Sequence, residues 1–109
     1  MTTITIIKSK SGNYKGMICS GHAGYADAGS DIVCAAISML VINTINSLDT
    51  LAGARMQVAT DEEEGYIDCK FLSELDERGI LLMDSLILGL NGTVEEYVKK
   101  FLKLKFKEV

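Results

Sequence analysis

A chain of 109 residues, 48% apolar and 24% charged, has the size and composition of one compact domain and too little length for two. Its net charge of -4 lacks the positive field that holds a protein on phosphate backbones, so no direct nucleic-acid binding is expected. The longest apolar runs, such as Ile32 to Ile37, fall far short of the roughly 20 residues that cross a bilayer, and residues 1–12 lack the features of a secretory signal, so a cytoplasmic location and no membrane partner are expected.

Residues 2–9 alternate Thr3, Thr5 and Ile7 with Ile4, Ile6 and Lys8, and their β-branched bias predicts a strand. Residues 10–13 carry a Ser-Gly-Asn turn signal, and 14–22 show little helical periodicity, so the two segments read as a hairpin. From 23 to 30 small residues and two glycines give neither strand alternation nor an amphipathic helix, which predicts a pliant loop. Ser30 or Asp31 then caps a long helix over 31–52, whose first half is apolar nearly all round.

Residues 55–60 and 66–71 alternate as strands across the acidic turn 61–65. Leu75, Leu82, Leu86 and Leu90 share one face of a second helix over 73–90, which Asn91-Gly92 stops. Thr93-Val94-Glu95-Glu96 matches a capping box for a short third helix through Phe101, and Leu102, Leu104 and Phe106 alternate with lysines as a last strand. The order β-β-α-β-β-α-α-β predicts an α+β fold, a mostly antiparallel sheet with helices packed on one face. Two helices with apolar residues on more than one face imply surface buried against a second copy, most economically a homodimer.

The three cysteines, Cys19, Cys34 and Cys69, are odd in number and widely spaced, a poor disulfide framework suited to a reducing compartment. The single histidine, His22, ends the second strand, and Cys34 falls in the first turn of the following helix. A helix N-terminus stabilises a thiolate by roughly 0.3 to 1 kcal/mol, at most about 2, whereas one pKa unit is worth about 1.4 kcal/mol. That shifts a thiol of pKa about 8.5 by about one unit at best, so a mostly ionised nucleophile needs the imidazole as well.

In that arrangement Cys34 attacks a carbonyl carbon, and His22 stabilises the thiolate and hands a proton to the leaving amine. Backbone N–H groups near the helix start would receive the oxyanion. Asp31 either orients His22 or serves the helix as its cap and N-terminal charge. Taken alone, the pattern favours Cys34 as a small apolar residue inside a buried helix over a nucleophile, and His22 reads in the same way as a strand-end hydrogen-bonding group. Ser38, one turn beyond Cys34, reads as satisfied by its own helix.

Cys19, His22, Cys34 and Cys69 nominally supply four zinc ligands, but Cys19 and His22 lie three apart in one strand and face opposite ways, so no metal and no cofactor are expected. Gly21, Gly24 and Gly29 precede a helix without the Gly-Lys-Ser/Thr ending of a phosphate-binding loop.

Gly21-His22-Ala23-Gly24-Tyr25-Ala26, followed by Gly29-Ser30-Asp31-Ile32-Val33-Cys34-Ala35-Ala36-Ile37-Ser38, closely resembles the bacterial ribosomal-processing cysteine proteases, the Prp family. The resemblance covers both motifs at the family's separation, and length and element order agree over essentially the whole chain. It implies a homodimeric cysteine endopeptidase of the bacterial cytoplasm that removes a short N-terminal extension from a large-subunit ribosomal protein. Cys34 and His22 would be its catalytic pair, and Asp31 belongs to the same motif. The alternative is a non-catalytic ribosome-assembly or protein-binding module built on the same fold.

Overall fold

The computed structural model describes residues 2–21, 28–61, 65–92 and 102–109. Their order is β1 (Thr2–Lys8), β2 (Tyr14–Gly21), α1 (Ala28–Thr50), β3 (Met56–Asp61), β4 (Tyr66–Phe71), α2 (Glu77–Gly92) and β5 (Leu102–Glu108). The five strands form one sheet in the order β3-β4-β2-β1-β5. All pairings are antiparallel except β1 with β5, which is parallel. The expected α+β architecture is the one observed, and the third helix expected over 93–101 lies outside the described residues.

Strand alternation explains which face carries the core. Ile4 and Ile6 of β1 stand opposite Cys19 and Met17 of β2, and Met17 stands opposite Cys69 of β4. All five are buried, and they join Val33, Ile37, Val41 and Leu48 of α1 and Met83, Leu86 and Leu90 of α2 in one cluster. Burying each large apolar side chain of this set is worth about 1.5–3 kcal/mol, so this face holds the helices on the sheet.

The β1–β2 register shifts between Ile7 and Lys8, so that Tyr14 rather than Lys15 opposes Lys8. This bulge turns Tyr14 to the helix side, where its hydroxyl donates to Asp84 Oδ1 of α2 at 2.5 Å and Lys8 Nζ lies 4.9 Å from its ring centroid. Burial and the neighbouring Asp84 carboxylate together push the Tyr14 phenol far above its ordinary range, so it remains a donor.

The helix boundaries differ from expectation for local reasons. α1 starts at Ala28, so Ala28, Gly29 and Ser30 are helical rather than loop, and Ser30 and Asp31 sit in the first turn instead of capping it. Past its end Gly53 takes φ 59°, and Ala54 N–H donates to the Leu48 carbonyl at 2.9 Å. α2 starts at Glu77 rather than at residue 73, because Asp76 Oδ1 accepts from the Arg78 and Gly79 N–H groups at 2.9 and 3.1 Å. Leu75 therefore precedes the cap and packs over Gly79 instead of continuing the helical face.

Candidate functional site

β2 is the middle strand of the five and ends at Gly21, whose N–H donates to the Gly65 carbonyl at 3.1 Å and ties that end to the β3–β4 turn. His22 follows directly and lies outside the described residues, as do residues 23–27. The chain re-enters at Ala28 as α1, and Cys34 is the seventh residue of that helix. The topology thus brings the residue after β2 and the N-terminal third of α1 to the same connection.

Val33, Ile37 and Val41 are buried, Ser38 is half-buried, and Ala35, Ala36 and Met39 are exposed. Helical periodicity therefore places position 34 on the flank of α1, between the stripe sealed on the sheet and the outward side.

The early helix start changes the electrostatics expected from sequence. Cys34 lies in the second turn rather than the first, about 9 Å along the axis from Ala28, and the field of a helix terminus fades within its first turn. The unpaired N–H groups belong to residues 28–31, so those of the helix interior are engaged in its own hydrogen bonds. More of the work of ionising a thiol at position 34 therefore falls to a charged partner. Asp31, in the first turn, has the sign that a helix N-terminus favours.

The other two cysteines have a structural explanation. Cys19 and Cys69 are buried on neighbouring strands, neither in a disulfide, and Cys69 Sγ donates to Met56 Sδ at 3.6 Å. Burial, reinforced by the Asp68 carboxylate, pushes the Cys69 thiol up to about 11, so it stays protonated and unreactive near neutrality. Among the described residues no three His, Cys, Asp or Glu side chains gather as a metal site. No described helix is long and apolar enough to cross a membrane.

Sequence reasoning missed a groove of about 360 Å³ between the second half of α1 and β3, lined by Ile45, Asn46, Asp49, Met56 and Val58. Its only sequence signal was the pairing of Ile45 with Asp49 one turn on, which reads as an ordinary helix flank until β3 is placed beside it.

Comparison with known proteins extends this geometry. The profile of the family described as cysteine protease Prp matches residues 1–102. The ribosomal processing cysteine protease Prp of Bacillus subtilis (strain 168) is 30% identical over 101 residues, covering 89% of this chain and 90% of that protein. The crystal structure of the essential ribosomal processing protease Prp from S. aureus with a substrate peptide superposes with a TM-score of 0.87 at 24% identity, covering 98% of this chain and all of that one. The same S. aureus protease with a covalently linked product peptide gives 0.83 at 25% identity, again over 98% of this chain and 100% of the other.

Proposed function

The chain belongs to the cysteine protease Prp family, and on that premise we propose that it removes a short N-terminal extension from a large-subunit ribosomal protein through a Cys34–His22 dyad. It is a cysteine protease. The observation that supports Cys34 as its nucleophile is the burial of the alternatives: Cys19 and Cys69 are sealed under the helices, whereas position 34 lies on the helix flank next to the connection that carries the only histidine.

In the reaction His22 takes the Cys34 proton, and the thiolate attacks the scissile carbonyl carbon. The imidazolium then protonates the amine as the C–N bond breaks, leaving a thioester acyl-enzyme and a free amine. Water, deprotonated by His22, adds to the thioester, the C–S bond breaks as the imidazolium returns its proton to the sulfur, and the extension is released as the carboxylic acid with the Cys34 thiol restored. Oxyanion donors come from the backbone ahead of Cys34, since the N–H groups around it inside the helix are already bonded. No metal or cofactor takes part. Asp31 orients His22 or adds its charge to the helix start.

The whole chain, 1–109, works as one protease domain in the bacterial cytoplasm, and as a homodimer. The exposed Met39 and Ile42 of α1 and Leu81 and Leu88 of α2 support the pairing, because the sheet leaves them uncovered.

A peptide spanning the extension junction tests the reading. Wild type is expected to give two fragments of the predicted masses, and Cys34→Ala and His22→Ala none, with circular dichroism unchanged. Saturable binding of a peptide that stays intact would favour the non-catalytic ribosome-assembly or protein-binding module instead.

A further inference from the structure

The geometry points to the α1–β3 groove as a substrate subsite that takes a lysine or arginine side chain about five residues from the scissile bond; this rests on the protease reading and extends it. Ile45 stands eleven residues, or three helical turns, beyond Cys34 on the same flank of α1. That is about 16 Å along the axis, the length of about five residues of extended peptide. A substrate whose reacting carbonyl is at Cys34 therefore reaches the groove if it runs along this flank.

The lining selects the side chain. Ile45, Met56 and Val58 offer apolar wall, while Asn46 and Asp49 on the outward side offer an amide and a carboxylate. Asp49 is exposed and has no hydrogen bond or ion pair among the described residues, so its solvated carboxylate is open to a cationic group of the substrate. A short acidic side chain would meet like charge, and a purely aliphatic one would leave Asp49 solvated but unused. A long cationic side chain lays its methylenes on the apolar wall and its head on the carboxylate. Among the described residues β3 is also an outer strand of the sheet with no neighbour on one side, so one row of its backbone N–H and C=O groups faces an extended segment beside the groove.

The test walks a single lysine through a fluorescein-labelled peptide spanning the extension junction, all other basic residues being replaced by glutamine. Cleavage by wild type and binding to the inactive Cys34→Ala protein are both measured. A lysine four to six residues from the junction on one side is expected to lower KM and Kd by about two- to fivefold, the range of an exposed ion pair, with kcat unchanged. Asp49→Asn should remove that preference alone, and Asp49→Lys should transfer it to a glutamate at the same position. A flat lysine profile, or a preference that survives Asp49→Lys, overturns the subsite. Absence of cleavage together with Asp49-dependent binding would remove the protease reading and keep the groove.

Discussion

At the scale of single residues, the three cysteines carry contrasting expectations. A thiol held near 11 by burial has a negligible thiolate fraction at pH 7.5, and no reagent reaches it until the sheet opens. Iodoacetamide is therefore expected to add once to the native protein, at Cys34, and three times after unfolding. Peptide mapping by mass spectrometry checks both counts. A Cys34→Ala protein that still takes a label in its native state would show that the core thiols, not position 34, are the reactive ones. Because the helix terminus is more than one turn away, His22→Ala should slow this alkylation at neutral pH more than substitution of Asp31 does.

Much of the sheet was legible before the structure, since β-branched alternation in β1 and the strands flanking the acidic turn in β3 and β4 need only a local reading. The motif pairing His22 with Cys34 was legible from residue order, while the surroundings of the pair were not. α1 starts at Ala28 although Gly29 and two small neighbours argue for a loop, because Val33, Ile37 and Val41 lock the rest of the helix onto the sheet. Phe106, in the alternating run of β5, is 56% exposed, and β5 is an edge strand of the sheet. The parallel partnership of β1 and β5, the Tyr14 bulge and the α1–β3 groove all depend on residues distant in sequence, which periodicity does not register.

At the scale of elements, two contacts decide where pieces begin and how closely they lie. The Asp76 carboxylate is held below its usual range first by the Arg78 side chain and next by the Gly79 N–H, so the folded form binds its proton less tightly than the unfolded chain. Its contribution is complete above the unfolded value near 3.9 and disappears as pH falls through the lower native value. Asp76→Ala should lower the melting midpoint at pH 7 by several degrees, and Asp76→Asn by much less, because Asn also caps. The gap between wild type and Asp76→Asn should narrow as pH falls below the ordinary carboxylate range, which calorimetry across pH would record. Gly16, in β2, faces a different constraint: a Cβ there would lie 2.4 Å from the Cys69 carbonyl oxygen of β4. Neither backbone gives way without loosening the β2–β4 ladder, so Gly16→Ala is expected to cost about 1–3 kcal/mol in chemical denaturation. An unchanged midpoint would mean that the two strands separate more easily than their register implies.

For the whole molecule, the distribution of apolar surface sets the state of assembly. Both helices lay one stripe on the same face of the sheet, yet Leu81 and Leu88, two turns apart on the outward side of α2, are 69% and 73% exposed. Met39 of α1 is 73% exposed as well, so the uncovered side chains lie on both helices rather than on one. Single exposed leucines are ordinary, but a repeated pair at helical spacing offers a surface that a twofold axis can match against itself. Sedimentation at micromolar concentration is expected to give twice the chain mass. Leu81→Lys with Leu88→Lys should shift it toward the monomer while leaving the far-ultraviolet dichroism intact, since neither side chain belongs to the core. If the monomer then cleaves the junction peptide as fast as the dimer, each copy holds a complete site. If cleavage falls with dissociation and returns at higher concentration, part of the groove or of the connection at residues 22–27 depends on the neighbouring copy. A wild-type monomer at that concentration would instead remove the pairing, and the exposed leucines would be left as scattered surface.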